Sequence, residues 1–403
     1  MFLLCILIII TGCIYLFFNK EKELYMIDTT NKNIDKVYEI LKNYGLDIDV
    51  LYEYNDNIIL DNVISQSIDV DSVIQRGDKL SLIVSKGKLD LEKFKKDGIN
   101  ELGNVPIMMY HGIKNIKNSD TKYTGGNVDK DGYTRTSEAF RNDLELYYQK
   151  GYRMVRLSDY VEGNIDVLYG YSPIVLTFDD GNENNIKVTG IDNDGNIIID
   201  PNSAVGIMEE YKKKYPDYNV TATFFITNNL FNQPEYDEKI IKWLIDNGYD
   251  IGNHTQGHHN FSEIDSDKTQ YVVGFMYDKL EKIIGNKYVK IVALPFGSPY
   301  NKEHKNYKYI LNGSYNGMEY ETVSALRVGW EPELSPYNKN FDKTFLKRCR
   351  AYDNNGVEFD IEMILRMLDK NRYISDGDKN IIVTKKENSG IINNDIDSRL
   401  VLY

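Results

Sequence analysis

Cysteine is scarce in this 403-residue chain: of three, Cys5 and Cys13 fall in an apolar N-terminal stretch and only Cys349 lies in the body. No disulfide can staple the folded part, so its stability has to come from a packed core. Basic charge is in deficit as well. With 48 Lys and Arg against 61 Asp and Glu, the net charge is −13; a protein that grips phosphate backbones needs a basic face, so nucleic acid is excluded as a partner. Histidine numbers five, and three of these lie within residues 254–259. Hydrophobic residues at 42% and charged residues at 27% are ordinary for globular protein, which excludes extended disorder. A chain of this length is expected to divide into more than one domain.

What the chain does hold begins at its first residue. Residues 1–18, MFLLCILIIITGCIYLFF, carry no charge and nearly span a hydrocarbon core at about 1.5 Å per residue. No basic segment precedes the run, so an uncleaved transmembrane anchor is expected rather than a cleaved signal. A second reading is a lipoprotein signal, because Ile10-Thr11-Gly12-Cys13 resembles a lipobox whose Cys13 carries the lipid. Either reading tethers the chain to a membrane and places the rest at the cell surface, on the extracellular face of the cytoplasmic membrane.

Residues Ile34, Val37, Ile40, Leu41 and Tyr44 recur at helical spacing and stop at Gly45, which predicts a helix over 33–44. Strand-like runs follow at 48–54, 62–66 and 79–85, with Gly77-Asp78 as a turn. One helix on three strands is a small α+β module. Val63-Ile64-Ser65-Gln66, Gly77-Asp78 and Val84-Ser85-Lys86-Gly87 resemble a PASTA domain over residues 25–87, and the resemblance implies contact with peptidoglycan. Ile68 and Asp71 depart from its usual Pro and Gly. Residues 88–104 read as a charged linker.

From residue 105 to the end, apolar β-type runs alternate with helical patterns. Strands are expected at 105–110, 173–178, 220–227, 249–253 and 289–294, with helices at 137–150 and 238–247. Strands separated by helices make a parallel sheet or barrel, so the fold class is α/β. Function in such folds gathers beyond the C-terminal strand ends.

Two of those ends carry chemistry. Thr177-Phe178-Asp179-Asp180-Gly181 places two adjacent acids after an apolar strand; side chains alternate along a strand, so the two point different ways and can take different roles. Alone, such a sequence is also an ordinary strand-to-loop turn. His254-Thr255-Gln256-Gly257-His258 follows the strand YDIGN and sets two imidazoles four residues apart. Joined with Asp180 they supply two nitrogens and one carboxylate, the donor set of an open catalytic zinc site; the same set accepts cobalt or nickel. An ion held there acidifies a water and polarises a carbonyl.

TFDDG followed some 70 residues later by HTxxH resembles the polysaccharide deacetylases of the NodB homology group. That resemblance implies a distorted (β/α) barrel hydrolysing N-acetyl groups of N-acetylglucosamine polymers with one divalent metal. By position, Asp179 would be the general base and Asp180, His254 and His258 the metal ligands. Pro295-Phe296-Gly297 resembles the third motif, whose aromatic N–H helps hold the oxyanion. Where many members carry an Arg that orients the base, this chain has Ala293, and Arg327 is a candidate substitute. Where many place the acid His in a late strand, this chain has Lys385. Tyr110-His111 instead resembles the YH motif of poly-N-acetylglucosamine deacetylases, which makes His111 the expected proton donor. Trp330 is a candidate to stack on a sugar in the groove.

The expected activity is therefore N-deacetylation of peptidoglycan. The alternatives are a poly-N-acetylglucosamine exopolysaccharide as substrate, or a non-catalytic wall-binding protein on a degenerate barrel.

Overall fold

The computed structural model describes residues 23–357, 359–393 and 400–403, so the apolar run at 1–18 lies outside the described residues. No helix among the described residues is long and apolar enough to cross a membrane. The chain divides into two compact units, residues 1–91 and 92–403.

In the first unit the helix spans Ile34–Tyr44. The Asn33 side chain caps its start by accepting from the Asp35 amide at 3.2 Å, and Gly45 closes it at φ +78°. Its buried face, Ile34, Val37 and Leu41, packs with Val63, Leu80, Leu82 and Val84 of the sheet. The central strand Lys79–Ser85 pairs in parallel with Asp47–Glu53 and antiparallel with Val63–Gln66.

In the second unit nine strands form one sheet: β1 (Ile107–Tyr110), β2 (Tyr152–Met154), β3 (Ser172–Phe178), β4 (Thr223–Ile226), β5 (Asp250–Asn253), β6 (Ile291–Ala293), β7 (Ser324–Leu326), β8 (Phe345–Leu346) and β9 (Cys349–Arg350). Their spatial order is β8-β7-β6-β5-β4-β3-β1-β9, with β2 beside β3, and every pairing is parallel. The edge strands β8 and β9 are separated in the chain by only Lys347 and Arg348, so the sheet must curl until its two edges come together. Side chains alternate across it. Ile107, Val175, Phe225, Ile291, Ala293, Leu326 and Leu346 fill the interior. Met108, Tyr110, Leu176, Phe178, Phe224 and Ile251 face out, where they pack with the helices α1 (Ser137–Gln149), α2 (Ala204–Lys214) and α3 (Asp237–Asp246).

Parallel register aligns the strand ends. Phe178 stands opposite Tyr110 and Phe224, and the three rings stack outward with centroids 5.3 and 5.0 Å apart. The next residue along β1 and β3 is then turned inward at the C-terminal mouth. Those residues are His111 and Asp179.

Two expectations are corrected here. Residues 92–104 belong to the second unit, and Ile99, Glu101 and Leu102 are buried in it, because the apolar positions hidden in that charged stretch find a core. The strand Ile382–Thr384 pairs with Leu400–Leu402 outside the nine-stranded sheet, so Lys385 occupies no barrel strand end and is no counterpart of a catalytic His.

Candidate active site

Asp179 extends the inward row Val175, Thr177, Asp179 of β3. Directly after it the chain turns sharply: Asp180 sits at φ +76° and Gly181 at φ +68°. A Cβ on Gly181 would lie 1.9 Å from the Leu230 carbonyl oxygen, so only glycine fits. The left-handed backbone at Asp180 breaks the strand alternation, so both acids line one cavity. Thr255 (+69°), His258 (+51°) and Phe296 (+59°) are left-handed too. Backbone strain of this kind costs on the order of 1–3 kcal/mol per residue and collects where a site dictates geometry.

Asp180, His254 and His258 each offer one ligand atom within 4.8 Å of the others. Asp180 Oδ1 lies 3.3 Å from His254 Nε2 and 3.5 Å from His258 Nε2, spacings that suit donors about 2 Å from one central ion. The tautomer fits as well. His254 Nδ1 donates to the Ala293 carbonyl at 2.9 Å, which leaves Nε2 as a lone-pair donor. That Nε2 is buried and makes no hydrogen bond in the structure, the condition of an atom whose partner is a cation. The residues present therefore fit a divalent metal.

Arg348 is the residue that sequence reasoning missed. It lies at the seam between β8 and β9, is 0% exposed, and grips Asp179 with both arms: Nη1 to Oδ1 and Nη2 to Oδ2, each at 2.7 Å. Its Nη1 also donates to Thr177 Oγ1 and its Nε to the Arg327 carbonyl, both at 3.2 Å. Arg327 thus meets Arg348 through its backbone carbonyl, and it is Arg348 that holds Asp179. Burial pushes the Asp179 carboxyl up, but the Arg348 charge, the neighbouring His254 and His111 and the hydrogen bonds from Arg348 together outweigh it and hold the group well below the usual carboxylate range. The signal was faint in the sequence because β8 and β9 are two residues each.

His111, Asp179, Asp180, His254, His258 and Phe296 line one cavity of about 290 Å³ together with Tyr133 and Val328. His111 Nδ1 is buried and makes no hydrogen bond, so Nε2 is the ring nitrogen open to the cavity. Burial lowers the His111 pKa, against the pull of Asp179 and Asp180. Phe296 is 57% exposed and its ring meets that of His258 edge-on at 4.7 Å, while Pro295 is buried. Trp330 does not line the cavity. Two residues beyond Val328, it is 47% exposed and its ring packs against Phe359 at 5.0 Å.

Residues 170–311 match the family profile described as polysaccharide deacetylase, and residues 25–86 match that of the PASTA domain. No curated protein matches the chain. Among solved structures, it is similar to a Streptococcus pyogenes deacetylase, PplD, in complex with acetate, at 16% identity over 63% of this chain and 94% of that one, with a TM-score of 0.45. A putative polysaccharide deacetylase of Bacillus anthracis, BA0330, is similar at 19% identity, covering 62% and 66%, with a TM-score of 0.43. The extracellular region of the Ser/Thr kinase PrkC of Staphylococcus aureus matches at 34% identity over 17% of this chain and 24% of that one, with a TM-score of 0.16.

Proposed function

Taking the chain as a member of the polysaccharide deacetylase family with a PASTA domain ahead of its catalytic unit, we propose that it is a metal-dependent hydrolase that removes N-acetyl groups from N-acetylglucosamine residues of a cell-surface glycan, most readily peptidoglycan. The observation that carries this reading is the convergence of one candidate metal-ligand set, one buried ionised acid and one half-buried imidazole on a single cavity.

Asp180, His254 and His258 would hold the ion, zinc by donor type, with cobalt or nickel also accommodated. Such an ion supplies an acidified water and a polarised carbonyl. Asp179 takes a proton from the attacking water. Arg348 fixes that carboxylate through two of its N–H groups, which leaves lone pairs on both oxygens to face the cavity. The Phe296 amide, on the strained turn beside His258, helps hold the developing oxyanion. His111 gives a proton from Nε2 to the departing nitrogen, because an amide anion is too basic to leave unprotonated. Burial makes the imidazolium a stronger acid, which suits that role. The products are acetate and a glucosamine residue.

Tyr110-His111 at the first strand end favours poly-N-acetylglucosamine as a second candidate polymer; the PASTA domain favours peptidoglycan and, with it, contact between that domain and the wall. Localisation at the outer face of the membrane, tethered by residues 1–18, belongs to the same proposal. A degenerate, non-catalytic barrel is disfavoured, because Arg348 restores the contact to the base that Ala293 cannot make. Acetate release from chitooligosaccharide and from peptidoglycan, abolished by a chelator and restored by one added metal, tests the reading. Glycan binding by metal-replete protein without acetate release refutes it.

A further inference from the structure

Arg350 ends β9 with its side chain on the barrel side, as alternation from Arg348 requires, while Cys349 between them is fully buried on the other face. Its register partner is Met109, two residues before His111. The guanidinium lies 4.2 Å from the Tyr352 ring centroid and 5.6 Å from that of Tyr133. Tyr133 in turn lines the catalytic cavity and stands edge-on to the His111 ring at 4.8 Å. An arginine is therefore held by two aromatic faces, one of them the ring of a residue that lines the site.

It is also uncommitted. The buried arginines of the barrel are paired, Arg135 with Asp143, Arg153 with Asp217 and Arg348 with Asp179, whereas Arg350 is half-buried. No carboxylate among the described residues pairs with Arg350, and no hydrogen bond takes up its N–H groups. Stacking occupies the faces of a guanidinium and leaves its edge donors free, and those donors match a carboxylate two at a time. The wall that holds it is stiff. Asp129 accepts the amides of Asp131, Tyr133 and Thr134 at 3.1, 3.1 and 2.7 Å. Gly132, at φ +67°, has no room for a Cβ against Tyr352.

We propose that Arg350 is a specificity-determining residue of this site, binding a carboxylate carried by the sugar next to the N-acetylglucosamine under attack. The inference rests on the deacetylase reading and names its substrate class: an acid-bearing glycan such as one alternating N-acetylglucosamine with muramic acid, in preference to a neutral homopolymer. The carboxylate comes either from the lactyl group of a muramoyl residue or from a peptide attached to it.

The test measures acetate release by the full chain from three substrates of equal length: a muramoyl-N-acetylglucosamine oligosaccharide with free lactyl carboxylates, its methyl amide, and the same glycan bearing a peptide with free carboxylates. Wild type is expected to favour one or both acidic substrates over the amide by about 10- to 100-fold in kcat/KM, mostly through KM, as a charge-assisted hydrogen bond warrants. Whichever acidic substrate is favoured identifies the source of the carboxylate. Added salt shrinks the ratio. Arg350→Gln collapses it toward one, and Arg350→Lys recovers part of it. Equal rates on all three substrates with wild-type protein overturn the proposal even if the variants do not fold, as does an unchanged ratio in Arg350→Gln. Acetate from none of the three refutes the deacetylase reading itself and takes this inference with it.

Discussion

Arg348 and Asp179 meet in a bidentate pair, two N–H···O contacts of 2.7 Å, where the two edges of the curled sheet come together. The pair joins barrel closure to catalysis: the residue that orients the proposed base is also the one that crosses the seam. Removing the guanidinium strands a buried carboxylate, and breaking such a pair costs about 3–5 kcal/mol. Arg348→Ala is expected to lower the thermal midpoint and nearly abolish acetate release. Arg348→Lys keeps the charge but loses the planar fork, so stability should be partly retained while kcat still falls.

The sign of the Asp179 shift fixes a pH dependence. A carboxyl whose folded pKa is depressed contributes stability that is full above its unfolded value near 3.9 and is lost only as pH falls through the lower folded value. Asp179 is such a group, so the acid limb of kcat/KM above about pH 4 should not report its protonation. In Arg348→Ala the burial of Asp179 is opposed only by His254 and His111, and a new acid limb should appear at higher pH. A wild-type profile already falling with the base near pH 5–6 argues against the pairing seen here.

Metal retention separates the two histidines. His254 is 2% exposed in its side chain and tied to the Ala293 carbonyl, whereas His258 is 33% exposed. His254→Ala is expected to lose both bound metal and part of the fold's stability, while His258→Ala loses metal with a smaller drop in melting temperature. Elemental analysis and calorimetry on the purified variants read the two effects independently.

His111→Ala leaves the three proposed ligands in place, so metal content should stay at the wild-type level while kcat on the N-acetyl substrate falls by about 10²- to 10⁴-fold. An aryl acetate, whose leaving group needs no proton, should lose far less. Normal amide turnover in this variant removes His111 from the mechanism.

Gly181→Ala tests the turn between the two acids. The added Cβ meets the Leu230 backbone at φ +68°, so the loop has to shift and carry Asp180 with it. Weaker metal affinity and lower activity are expected, with secondary structure unchanged by circular dichroism. An alanine variant that binds metal as wild type does shows that the turn can relax without cost.

Much of this molecule could be read from the order of its residues, because the signals involved are local. Helical spacing with Gly45 at its end gave the helix of the first unit, now Ile34–Tyr44. Apolar runs such as Ser172–Phe178, buried along their whole length, announced strands covered on both faces. Thr177 to Gly181 and His254 to His258 marked the two strand ends that converge at the cavity, because each motif keeps its residues within one turn of chain. What the sequence did not disclose is long-range. Arg348 lies 169 residues from Asp179, on a two-residue strand too short to show a period, and only closure of the sheet sets it beside the base. Arg327, nearer the third motif in the chain, gives the seam its carbonyl. Tyr133 and Arg350 came near His111 only through parallel register and a loop pinned by Asp129. Local chemistry determined which residues can react; barrel closure, which costs chain entropy that only the assembled core can repay, decided which of them meet.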